Sequence, residues 1–94
     1  MGIFQRQERI KVRITLIAEE EKQGEGLINF ITLDGTKRYA SFRTEEYDGE
    51  NDMWAGEKSE MFNALQKAFD EDKWITLILV RVNSEKDSVK KIEP

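Results

Sequence analysis

The sequence predicts a mainly β protein with one helix, in the order β-β-β-α-β-β. Polar and apolar residues alternate over 9–16, which is the period of a strand with one buried face. Apolar residues recur at helical spacing in a single segment, which begins after Ser59. Further strands are predicted at 27–33, 38–44 and 74–82, with a short fifth strand near the end of the chain. The alternative architecture is an α+β sheet with one covering helix.

The first strand is predicted to bury one face and to expose a basic one. The alternation sends the apolar side chains inward and the polar ones to solvent. The expected inward residues are Ile10, Val12, Ile14 and Leu16, and the expected outward residues are Arg9, Lys11, Arg13 and Thr15.

The second and third strands flank Asp34-Gly35, which is typical of a two-residue type I′ hairpin turn because both central residues need positive φ. This turn would place Phe30 opposite Tyr39. A one-residue bulge would instead bring Ile31 beside Tyr39. One face is predicted to carry Leu27, Ile31, Leu33, Ala40 and Phe42, and the other to carry Ile28, Phe30, Thr32, Lys37, Tyr39, Ser41 and Arg43.

The segment 44–58 is predicted to be a long acidic loop. Alternate acids suggest a calcium loop, but the EF-hand pattern then needs Gly and Glu where Met53 and Ser59 stand. A second hypothesis is that this loop, which carries Tyr47 and Trp54, folds across the basic strands and competes with a polyanion. Deleting residues 46–56 would then tighten oligonucleotide binding.

The helix is predicted to start at Ser59 as N-cap, with a core-facing stripe of apolar residues. Acids over 70–72 oppose the helix dipole and predict fraying at its C-terminal end. The run 74–82 is predicted to be a strand buried on both faces, with Trp74 in the core. The stripe comprises Met61, Phe62, Leu65, Ala68 and Phe69.

Composition excludes several classes of function. The chain has no Cys and no His, so thiolate nucleophiles, zinc-ribbon spacing and the usual general base are missing. No catalytic residue, metal site or cofactor is predicted, and the protein is not expected to be an enzyme. A net charge of −4 argues against a strongly basic duplex-DNA binder. With no membrane-length apolar run and no signal-peptide core, we expect a single cytoplasmic domain spanning 1–94.

The element order resembles the OB-fold, a five-stranded partly open barrel whose helix lies between the third and fourth strands. In that family the second and third strands form an oligonucleotide-binding surface. The resemblance therefore implies a module for single-stranded DNA or RNA of low sequence preference, in which aromatics stack bases and cations contact phosphates. The expected contacts are Arg9, Lys11, Arg13, Phe30, Lys37, Tyr39, Ser41 and Arg43, with Lys86, Lys90 and Lys91 as an extension.

A protein partner is the alternative. The acidic loop and exposed aromatics such as Tyr47 and Trp54 would then anchor a protein–protein interaction module or a small regulatory subunit. Such binding would respond less to salt than binding of a nucleic acid. A free edge in a small open sheet would also allow a homodimer.

Overall fold

The computed structural model describes residues 7–84 and 86–93, which form a five-stranded barrel, one helix and a separate two-stranded hairpin. Residues 1–6, 85 and 94, which the predicted domain 1–94 includes, lie outside the described part. The elements are β1 Gln7–Glu19, β2 Glu25–Thr32, β3 Lys37–Arg43, β4 Glu45–Asp48, β5 Met53–Lys58, α1 Glu60–Asp70, β6 Trp74–Asn83 and β7 Lys86–Glu93.

The barrel is closed, with strand order β1-β2-β3-β7-β6 and β6 paired back onto β1. Only β3 and β7 pair in parallel, through Ser41 and Ser88, and the other barrel pairs are antiparallel. This confirms the predicted five-stranded barrel with one helix, which is consistent with an OB-like fold, over the covering-helix alternative. The segment predicted as an acidic loop contains the hairpin β4–β5.

Apolar side chains from the barrel strands and the helix form one core. The predicted N-cap is confirmed, since the Ser59 hydroxyl accepts from the Phe62 N–H at 3.0 Å and donates to the Arg43 carbonyl at 2.8 Å. These two bonds fix the start of α1 to the end of β3. The largest fully buried side chains are Phe30, Ile28, Leu65, Leu77, Leu79 and Val12.

The C-terminal end of α1 is closed by hydrogen bonds, although its acids predict fraying. Asp72 has φ 53, and its N–H donates to the Phe69 carbonyl at 3.2 Å. The Lys73 N–H donates to the Ala68 carbonyl at 3.1 Å. This is the Schellman arrangement, with aspartate in the left-handed position that glycine usually takes.

The prediction that Leu16 points inward is wrong. The register between β1 and β2 shifts between Ile14 and Leu16, so Thr15 is the extra residue of a β-bulge. Ile14 stays in the core opposite Phe30, whereas Leu16 lies opposite Asn29 and is 43% exposed. The one extra residue shifts the alternation of inward and outward side chains for the rest of the strand.

The predicted register of the β2–β3 hairpin is also wrong. The Gly35 N–H donates to the Thr32 carbonyl at 3.0 Å, and Thr32 pairs with Thr36 across a three-residue loop. Gly35, at φ 87, supplies the left-handed residue that follows a type I turn. The Thr32 hydroxyl donates to Asp34, which lowers the pKa of that carboxyl.

This three-residue loop sets every cross-strand pair of the hairpin. Asn29 lies opposite Tyr39, and Phe30 lies opposite Arg38. Phe30 is therefore a core residue, 1% exposed, and is removed from the predicted binding face. Ile28 and Thr32 also point inward, whereas Leu27 and Ile31 belong to the outer face.

The expectation that β6 is buried on both faces fails as well. Ile75, Leu77 and Leu79 enter the core, but Trp74 is 41% exposed and Val82 is 59% exposed. A closed barrel buries its inward residues, so Trp74 and Val82 face outward despite their hydropathy, whereas Val80 on the same side of β6 stays buried. Trp74 is consequently not a core residue.

A network of ion pairs joins four strands at one end of the barrel. The Arg38 guanidinium donates to both carboxylate oxygens of Glu8, at 2.8 and 2.9 Å, and to Asp87 at 3.1 Å. Asp87 also pairs with Arg81 at 2.9 Å. The Arg38 guanidinium carbon lies 5.8 Å from the centre of the Phe30 ring, so the network lies against the core.

Replacing Glu8 by glutamine should make the free energy of unfolding less dependent on pH in the acidic range. Hydrogen bonding to Arg38 holds the pKa of Glu8 below its ordinary value of 4.5, so its stabilisation is present above pH 4.5 and lost as pH falls towards the folded-state pKa. Because Glu8 is half exposed, we expect Glu8→Gln to cost at most about 1 kcal/mol at neutral pH. Urea unfolding at neutral and acidic pH measures this, and a constant gap between the proteins at all pH values would contradict it.

Within the described ranges, the helix is far too short to cross a membrane. In these ranges the barrel closes by pairing of β6 with β1, and β3 meets β7 at the single pair Ser41 and Ser88. The homodimer stays a prediction. Hairpin β4–β5 is a separate two-stranded sheet.

Candidate nucleic-acid interface

The outer surface of the first three strands is ordered in rows by their register. Asn29 lies between Leu16 and Tyr39, and the neighbouring rows contain Ile31 with Lys37 and Leu27 with Ser41. Side chains directly opposite on one face are neighbours, so the rows form one continuous surface. We define the β2–β3 face as Leu27, Asn29, Ile31, Lys37, Tyr39, Ser41 and Arg43.

A shallow groove of about 440 Å³ crosses this face. Tyr39 lies at the edge of this groove and is 53% exposed. Thr15, at the bulge of β1, forms the opposite wall. The groove is lined by Thr15, Asn29, Ile31, Lys37, Arg38 and Tyr39, with Phe30 beneath them.

The cations of the β2–β3 face are Lys37 and Arg43, one on either side of Tyr39 along β3. Both are exposed, and neither forms an ion pair with a residue in the described ranges. Because alternate strand residues share a face, Lys37, Tyr39, Ser41 and Arg43 follow one another in a line. Strand β3 thus presents, in order, a cation, an aromatic ring, a hydroxyl and a second cation.

The cations of strand β1 are less available. Arg9 pairs with Glu93, and Arg13 lies 3.2 Å from Asp72 at the end of α1. Lys11 is exposed, but it lines a different groove beside Leu33 and Asp34. Arg13 borders the β2–β3 face through its partner Ile31, whereas Arg9 and Lys11 lie away from it.

The structure therefore divides the predicted site. It brings Lys37, Tyr39, Ser41 and Arg43 together, and it places Phe30 in the core. Asn29 belongs to this face and Leu16 lies beside it, although neither was predicted to do so, and Thr15, which was predicted to face outward, borders the same groove. Their positions depend on the bulge and on the turn register, which alternation alone does not reveal.

Two further grooves continue the line of β3 beyond Tyr39. One, of about 430 Å³, lies between the β1–β2 loop and the start of β7, where Leu27, Ser41 and Lys86 line it. The next, of about 270 Å³, includes Ser41, Arg43 and Trp54 of hairpin β4–β5. A polymer lying along β3 would thus meet grooves over the whole strand.

The β1–β2 loop gives this surface an acidic border. Glu20 and Glu21 line the middle groove. The ammonium group of Lys22 lies 3.8 Å from the carboxylate of Glu25, which offsets part of its positive charge. A phosphate chain would be repelled from this loop and drawn towards Lys86 on the other side. The charges therefore favour a path along β3 and β7.

Comparisons with protein-family models, with curated proteins and with solved structures gave no significant match. In the described ranges, no group of three or more acidic side chains is placed to hold a metal ion. The geometry of the β2–β3 face is therefore the basis on which a function can be assigned.

Proposed function

We propose that this protein binds single-stranded DNA or RNA, with little sequence preference and without catalysis, through the β2–β3 face. One observation carries the proposal: exposed Tyr39 lies between Lys37 and Arg43 on one strand face, and neither cation has a described ion-pair partner. Aromatic stacking accepts any base, and the cations supply a salt-dependent attraction to phosphates.

The chemistry of the neighbouring side chains supports this assignment. Asn29, opposite Tyr39, has an amide that can donate to and accept from a base edge. Alternate residues of β3 are spaced about 6.6 Å apart, which lets successive nucleotides of an extended strand meet successive side chains. Because the overall charge is −4, attraction to phosphates has to come from a local basic surface such as this one.

Tyr39→Ala should weaken oligothymidine binding about 5- to 150-fold, because one stacked base is worth about 1–3 kcal/mol. Tyr39→Phe should bind nearly as well as the wild type, since the ring that stacks is retained. Fluorescence anisotropy of a labelled oligothymidine at about 50 mM salt measures both affinities.

Trp74→Ala is the matched control for Tyr39→Ala. Trp74 is an aromatic residue of comparable exposure, but it lies on β6 outside the β2–β3 face. We expect its substitution to leave oligothymidine affinity within about twofold, as for an exposed residue away from the site. No binding by the wild-type protein at low salt would refute the proposed function.

A protein partner is the second candidate, and the exposed apolar character around Tyr39 favours it. Leu16 is 43% exposed in the same row, and Leu27 and Ile31 are partly exposed beside it. Aromatic and aliphatic side chains together are typical of anchors in protein interfaces. This alternative predicts no oligonucleotide binding at any salt concentration.

A further inference from the structure

Hairpin β4–β5 bends back onto the barrel and places Trp54 against the β1–β2 loop. The contact is close, since a Cβ atom added to Gly24 would overlap the indole ring. The ring of Tyr47 also meets Trp54 edge-on, with 5.0 Å between ring centres, and Trp54 stays partly exposed. The indole is thus held in one place by two neighbours.

Trp54 stands at the end of the line that starts at Tyr39. It lines the same groove as Arg43 and Ser41, which follow Tyr39 on the outer face of β3. Tyr39 and Arg43 are four residues apart, or about 13 Å along a strand. The two aromatic residues therefore lie beyond the reach of a single base, with a cation and a hydroxyl between them.

Two acids of the hairpin, Asp48 and Asp52, form hydrogen bonds at its tip. Asp48 accepts from the Glu50 N–H at 3.0 Å and from the Asn51 side chain at 2.6 Å. Asp52 accepts from the Tyr47 hydroxyl. These contacts shape the turn, and they do not place the two carboxylates against Lys37 or Arg43.

A second contact anchors the hairpin independently of Trp54. Lys58 pairs with Glu19 and lies 5.0 Å from the centre of the Phe62 ring. The base of the hairpin is thus attached to β1 and α1, so its attachment does not depend on the indole alone.

We propose that Trp54 is a second base-stacking position, which extends the nucleic-acid site of the β2–β3 face from Tyr39 through Arg43 to the hairpin. The inference rests on the proposed function, and it defines the ligand as a strand long enough to reach both rings. A dinucleotide would engage Tyr39 alone, whereas a hexanucleotide would engage Tyr39 and Trp54. The same inference reverses the hypothesis that the acidic segment competes with a polyanion.

A length series of oligothymidines tests the inference. Trp54→Ala should weaken hexathymidylate binding about 5- to 150-fold and leave dithymidylate binding unchanged, since one stacked base is lost only from the longer ligand. Tyr39→Ala should weaken both. Deletion of residues 46–56 should weaken hexathymidylate binding, and tighter binding would overturn the inference.

Intrinsic tryptophan fluorescence tests the same inference while the indole ring of Trp54 is kept in place. Trp74→Phe leaves Trp54 as the sole tryptophan, and hexathymidylate should quench its emission. Trp54→Phe leaves Trp74, whose emission should not change. Unchanged Trp54 emission, with Tyr39-dependent binding intact, would overturn the inference and leave the proposed function standing. Failure of every variant and of the wild type to bind would refute the proposed function itself.

Discussion

Phe30→Ala is expected to lower the free energy of unfolding by about 3–5 kcal/mol, because it empties a fully buried aromatic site. The ring lies between Ile14 of β1 and Arg38 of β3, so its removal leaves a cavity in the barrel and withdraws the surface over which the Arg38 guanidinium lies. Urea or thermal unfolding measures the loss.

The same variant separates two interpretations of Phe30. If Phe30 were a stacking residue, as the hairpin pattern predicts, Phe30→Ala would weaken oligonucleotide binding and leave stability almost unchanged. From the structure we expect Phe30→Ala to lower stability strongly, whereas the molecules that remain folded should bind the oligonucleotide with wild-type affinity. Tyr39→Ala is the control, since an exposed aromatic on the same hairpin should affect stability by less than about 1 kcal/mol.

Removing both cations of the β2–β3 face should weaken binding and reduce its dependence on salt. Lys37→Gln with Arg43→Gln should reduce the slope of log affinity against log salt by about 1.4, at about 0.7 per phosphate contact on a single strand. At about 50 mM salt this corresponds to a loss on the order of 60-fold. Anisotropy titrations across a salt series measure both quantities.

A charge-matched double variant controls for the change in net charge. Lys67→Gln with Lys73→Gln removes two positive charges, one from the last turn of α1 and one from the segment between α1 and β6. Binding by this variant should keep the wild-type salt slope. An equal reduction in slope for both double variants would show that net charge alone is responsible, and would contradict a phosphate track along β3.

Local patterns in the sequence predicted much of the fold. Alternation located β1, and Ser59 together with the apolar stripe located α1, because both signals arise within a few residues. Tyr39, Ser41 and Arg43 were correctly placed on one face, since alternate residues of a strand share a face whatever its partner does. The face on which Phe30 lies depends on the length of the turn, and a loop one residue longer than predicted moved Phe30 from the outer face to the core.

Other features depend on contacts between distant parts of the chain. Neither the pairing of Arg38 with Glu8 and Asp87 nor the contact of Trp54 with Gly24 has a local signal in the sequence. The bulge at Thr15 is likewise set by pairing with β2, and an isolated strand pattern does not contain it. These features decide which side chains reach the candidate site.

The strand order also has a consequence for folding kinetics. β1, β2 and β3 pair with their neighbours in sequence, whereas closure requires β1 to pair with β6, as between Arg13 and Trp74. Pairing between distant segments carries a large loop-closure entropy and slows folding. The β2–β3 face is therefore made from the rapidly formed, local part of the chain, and closure by β6 and β7 is the expected slow step.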